Sequence, residues 1–130
     1  MDDLETYRRF AARVENCRRS LREFLARAKS EGKTVAGYGA AAKGNTLLNY
    51  CGVTCADISM VADRNPHKQS MLLPGTHIPV VSPAQLMRAQ PHYVLVLPWN
   101  LLREIRLQLA DVRAWGGRFV TAIPEVRIHA

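Results

Sequence analysis

From residue 33 onward the chain alternates short apolar runs with helical segments, and this alternation limits the fold more than any other feature. Residues 34–38, 58–62, 78–81, 93–97 and 118–122 read as buried strands. Residues 40–50, 83–89 and 101–115 read as helices, the last with Leu102, Ile105, Leu109 and Val112 on one face. Strands separated by helices require crossover connections. The expectation is therefore an α/β fold, a doubly wound parallel sheet of about five strands in the order 3-2-1-4-5. The polar, proline-containing stretch 63–75 is the one long loop.

A different period governs the start of the chain. Leu4, Tyr7, Phe10, Ala11, Val14, Cys17, Leu21, Phe24, Leu25 and Ala28 recur three and four apart, which predicts an amphipathic helix over residues 2–30 that Gly32 ends. Asp2, Asp3 and Glu5 at one end and Arg27 and Lys29 at the other complement its dipole. Such a helix is about 40 Å long, more than a small domain can cover. Residues 1–32 are thus expected to form a linker or arm packing on a domain of residues 33–130, with two readings open: a surface helix on that domain's own sheet, which is preferred, or an arm that overhangs to reach another domain or subunit.

Composition excludes several classes. A chain of 130 residues, 48% hydrophobic and 22% charged, fits one ordinary domain. It has no apolar run long enough for a membrane span and no secretory leader, so a cytoplasmic location is expected. Cys17, Cys51 and Cys55 cannot all pair and lack the spacing of a zinc site, which makes them reduced, partly buried thiols. The net charge of +7 is spread over both parts of the chain, without the dense basic stripe of a nucleic-acid binder. Anionic small molecules suit it better.

The candidate site lies at the carboxyl edge of the expected sheet. Gly37-Tyr38-Gly39-Ala40-Ala41-Ala42 fits Gly-x-Gly-x-x-Ala between a strand and a helix, where unpaired N–H groups and the helix dipole favour a phosphate. Lys43 stands about one turn in, and Asn45 and Thr46 add hydrogen-bonding groups. The order Lys43-Gly44-Asn45-Thr46 is not that of a triphosphatase loop. The expected strand order places Pro98-Trp99-Asn100 across the crevice, where Trp99 and Asn100 either contact a ligand or cap the core and the next helix. Asp63 ends the second strand, where a dinucleotide fold places its ribose-binding acid, and Arg64, His67 and Lys68 follow on the same rim. Asp57 reads as a solvated loop residue. His67 and His77 are possible acid–base groups, whereas His92 and His129 suggest no site.

Four segments together carry a resemblance: residues 37–49, 63–69, 73–79 and 97–100. In this order they resemble the C-terminal domain of S-adenosylmethionine (SAM)-dependent sugar C-methyltransferases, and the likeness covers nearly the whole chain. It implies a Rossmann-like domain that helps hold a nucleotide-diphosphate sugar, such as a deoxythymidine-diphosphate hexose. It also implies upstream zinc-binding and SAM-binding domains in the same polypeptide, in a deoxysugar pathway. Zinc and SAM are accordingly expected only in those domains, with no cofactor on this one. The family's base belongs to the middle domain, so no catalytic residue is carried over, and this chain alone is expected to be inactive. The expected substrate contacts are Gly37, Tyr38, Gly39, Ala40, Lys43, Asn45, Asp63, Arg64, His67, Lys68, Trp99 and Asn100. The residues also leave open a stand-alone nicotinamide-dinucleotide domain and a ligand-free dimerisation module. An excised domain is preferred to a natural stand-alone relative.

Overall fold

The structure, a computed structural model, describes residues 3–123 and 125–129; the expected helix start at Asp2 lies outside them. Helix α1 (Asp3–Ser30) leads into β1 (Val35–Tyr38), α2 (Ala42–Tyr50), β2 (Val61–Ala62), β3 (Val80–Val81), α3 (Pro83–Ala89) and β4 (Tyr93–Val96). Then come α4 (Leu102–Gln108), β5 (Arg118–Thr121) and β6 (Arg127–His129). One sheet holds the strands in the order β3-β2-β1-β4-β5-β6. The expected order of the first five is present, and all of them are parallel.

The sixth strand was not anticipated. It pairs antiparallel with β5, Phe119 opposite His129 and Thr121 opposite Arg127. Its three residues hold one apolar side chain, too few to show a period. Two expected strands are shorter in the structure. Pro79 has no N–H to give a ladder, and the Ile58 amide bonds the Thr54 carbonyl in a turn, so Ile58 and Ile78 are fully buried outside β2 and β3. The single helix expected over 101–115 is also divided. A 3-10 turn (Trp99–Leu101) precedes α4, and a second 3-10 helix (Ala110–Trp115) follows it. Three residues per turn stack Leu109, Val112 and Trp115 on one side, and the Trp115 indole N–H donates to the Pro91 carbonyl at 2.9 Å.

Alternating strand residues feed two cores, as pleating requires. Val35, Leu95 and Val120 face α1 and α2, meeting Leu21, Leu25 and Leu48. Ala36, Val94, Val96 and Phe119 face α3 and α4, meeting Leu86 and Ile105. The sheet is therefore covered on both sides, and its open carboxyl edge is left for a site.

Only the second half of α1 belongs to this packing. Cys17, Leu21, Leu25 and Ala28 are buried, and the Cys17 thiol donates to the Ala122 carbonyl at 3.3 Å. Residues 3–13 are exposed throughout, Tyr7 by 67% and Phe10 by 58%. Asp57 is not the solvated loop residue expected from the sequence. Its carboxylate accepts from Arg22 at 3.2 Å and from the Thr54 N–H at 3.1 Å, tying α1 to the turn before β2. Burial raises the Cys17 thiol and pushes Cys51 up to about 11, so both stay protonated, while Cys55 is exposed. Among the described residues no helix is long and apolar enough to cross a membrane.

Candidate functional site

The ends of β1 and β4 open into a cleft of about 430 Å³ lined by Ala41, Ala42, Lys43, Gly44, Leu97, Pro98, Trp99 and Asn100. The glycine turn and the Pro98-Trp99-Asn100 turn thus face each other. Close approach is possible because two glycines remove side chains there. Gly39 has φ +95°, and a Cβ on it would lie 2.6 Å from Pro98 Cδ. A Cβ on Gly44 would lie 2.8 Å from Leu97 Cβ. Gly44 therefore supplies the close helix–strand contact, a role the Gly-x-Gly-x-x-Ala reading did not give it.

Helix α2 begins without a side-chain cap on Ala41. Its first internal hydrogen bond runs from the Asn45 N–H to the Ala41 carbonyl at 3.0 Å. The amides of Ala42 and Lys43 precede that bond and have no partner within the helix. Both residues are exposed at the cleft, beside the Lys43 side chain. An anion seated there meets the positive end of the helix dipole and a full ammonium charge.

The other expected residues are placed differently from one another. Gly37 is buried within β1, and its N–H bonds the Met60 carbonyl; the Gly39 N–H bonds the Ala62 carbonyl. Neither amide is left for a ligand. Asn45 lies against Asn49, whose amide donates to the Asn45 carbonyl at 3.0 Å and to the Pro74 carbonyl at 3.0 Å. Trp99 is 41% exposed at the cleft, and Asn100 does not cap α4, whose N-cap position is Leu101 and has no side-chain hydrogen bond.

Asp63 turns inward. One carboxylate oxygen accepts the Ala40 N–H at 2.7 Å and the other the Asn65 N–H at 2.8 Å. Lys68 Nζ donates to the Ala40 carbonyl at 3.0 Å. The rim group therefore acts on the glycine turn itself. A second hollow of about 210 Å³ adjoins the first at Pro98 and is lined by Tyr38, Asp63, Arg64, Leu101, Glu104, Ile105 and Gln108. Its Tyr38 hydroxyl lies 3.5 Å from Gln108 Oε1, and burial holds the phenol above its usual range. Glu104 and Gln108 carried no sequence signal, because only the α4 crossover brings them to β1.

The histidines are dispersed. His67 and His77 are exposed and line neither hollow, and His77 has φ +59° with its N–H on the Leu73 carbonyl. Among the described residues, no three His, Cys, Asp or Glu side chains gather as a metal site.

Comparison with known proteins bears on the family and on the fold. The sequence model of the C-methyltransferase C-terminal domain matches residues 1–124. The chain is 43% identical over 122 residues to the C-methyltransferase NovU of Streptomyces niveus, a match that takes in 94% of this chain and 29% of NovU. The chain therefore spans less than a third of that relative's length. Among solved structures, UDP-D-quinovosamine 4-dehydrogenase from Vibrio fischeri is similar with a TM-score of 0.54 and 15% identity, over 75% of this chain and 93% of that one. That likeness concerns the Rossmann-like fold.

Proposed function

The chain belongs to the C-methyltransferase C-terminal domain family, and from that premise we propose that it is the part of the enzyme that anchors the methyl acceptor, a nucleotide-diphosphate sugar, by its diphosphate. One observation carries the reading: the uncapped start of α2 and Lys43 face the Pro98-Trp99-Asn100 turn across a cleft of about 430 Å³. The amides of Ala42 and Lys43 and the Lys43 ammonium are the phosphate donors. Trp99 supplies a face for a planar or sugar group, and Asn100 supplies hydrogen bonds.

Chemistry favours a positioning role. Methylation of a carbon beside a keto group needs a proton removed there and the methyl donor held in line with that carbon. A diphosphate takes no part in either event. Holding it spends remote binding energy on orienting the sugar, which lowers the barrier without a catalytic side chain on this domain.

The methyl donor itself is a poor fit to these residues. The acid at the end of β2, where a dinucleotide fold holds its ribose, already has one backbone N–H on each oxygen, from Ala40 and from Asn65. The same contacts weigh against a nicotinamide dinucleotide. Zinc has no ligand group among the described residues. The methyl donor and zinc belong, in this reading, to other parts of the enzyme.

Thermal unfolding tests it. Deoxythymidine diphosphate at a hundredfold excess over its Kd should stabilise the chain by about 2.7 kcal/mol, a rise of several degrees. Lys43→Ala should remove most of that rise, and SAM should produce none. Stabilisation by SAM with no response to any sugar nucleotide reverses the assignment.

A further inference from the structure

The contacts of Asp63 and Lys68 reach further than the rim position expected for them. Ala40 sits between two peptide planes of the glycine turn. Its N–H, in the first plane, donates to Asp63 at 2.7 Å, and its carbonyl, in the second, accepts from Lys68 at 3.0 Å. The backbone that carries the two side chains is itself anchored. Gln69 Nε2 donates to the Asp63 carbonyl at 2.8 Å, and the Lys68 N–H donates to the Asn65 carbonyl at 3.0 Å. Both ends of one residue are thus held from a single short loop.

That residue is the hinge between β1 and α2. Gly39 before it has φ +95°, a conformation stabilised by no side chain of its own, and Ala41 after it is extended, at φ −87° and ψ 159°. Three residues turn the chain from the strand to the helix, so the orientation of the two planes at Ala40 sets the direction in which α2 starts. It also sets where the amides of Ala42 and Lys43 point.

We propose that Asp63 and Lys68 are positioning residues that clamp Ala40 and so aim the start of α2 at the diphosphate, without touching the ligand. The inference rests on the anion reading above. Asp63 is then a carboxylate whose presence strengthens the binding of an anion. Simple electrostatics has the opposite sign, because a negative charge near a phosphate repels it. This opposition makes the clamp testable.

Inorganic pyrophosphate and deoxythymidine diphosphate are titrated into the wild-type chain and into Asp63→Ala, Asp63→Asn and Lys43→Ala, with amide hydrogen exchange read at Ala40. The clamp predicts that Asp63→Ala weakens both ligands by about tenfold, the order of one charge-assisted hydrogen bond. Exchange at Ala40 should quicken in the same variant. Asp63→Asn keeps one acceptor oxygen for Ala40, loses the one that takes the Asn65 N–H, and should bind more tightly than Asp63→Ala, within about threefold of wild type. It also serves as the informative variant should Asp63→Ala not fold. Equal or tighter binding by Asp63→Ala, or by Asp63→Asn with fast exchange at Ala40, overturns the clamp while leaving the anion site standing. Failure of the wild-type chain to bind either ligand removes the anion reading, and the clamp with it.

Discussion

The two ends of the β1–β4 pair both carry polar groups and use them differently. At the amino end, the Thr34 N–H donates to His92 Nδ1 at 2.9 Å and the His92 N–H donates to the Thr34 hydroxyl at 3.3 Å. Lys33 there pairs with Glu31 at 3.2 Å. Thr34 and His92 satisfy one another there, beside a hollow of about 190 Å³ lined by Lys33, His92, Tyr93, Gly116 and Arg118. At the carboxyl end, Asp63 and Lys68 take up Ala40, and the amides of the first turn of α2 remain without a side-chain cap. Polar residues at a strand end are thus not in themselves a site; a site is where the structure fixes donors and then leaves them unpaired.

The largest break in that comparison comes from filling the carboxyl end. Gly39→Val puts a β-branched residue at φ +95° and a Cβ 2.6 Å from Pro98 Cδ, so a loss of about 2–4 kcal/mol is expected in denaturant unfolding. Ligand binding should vanish in whatever folded protein remains. At the amino end, His92→Ala removes exposed hydrogen bonds and should cost about 1 kcal/mol with diphosphate affinity unchanged. A change in affinity there would mean that the two ends are coupled.

The smallest effect sharpens the contrast between histidines. His129 lies 2.9 Å from the Thr121 hydroxyl, and burial, with Arg106 and Arg127 nearby, holds its imidazole below the usual range. The unfolded chain therefore binds its proton more readily than the folded one. The stability His129 contributes is complete above the unfolded pKa of about 6.5 and is lost as pH falls from there through the folded value. His129→Gln should flatten the decline of Tm between about pH 7 and pH 5. An unchanged slope would show that the strand β6 contact does not sense protonation.

Much of this was readable before folding, for reasons that differ by residue. The periods of α1 and of the five parallel strands showed in the apolar spacing, and the crossover rule then gave their order. Gly37-Tyr38-Gly39 marked the turn. Strand β6 was invisible because three residues carry no period. Asp57 looked like a surface residue because its partner, Arg22, is 35 positions away. Likewise spacing put Asp63 at the end of β2 and Lys68 soon after it, but could not show that they would turn towards Ala40, 23 and 28 positions earlier.

What the sequence determined by itself was local: which stretches twist into helices, which extend into strands, and where glycine permits a turn, since these follow from neighbouring side chains and backbone sterics. Tertiary structure alone decided which polar groups at the crevice are consumed by the protein and which are left without a partner from it. A hydrogen bond depends on ångström-scale distance and angle between segments remote in sequence, and those are fixed only when the two cores pack.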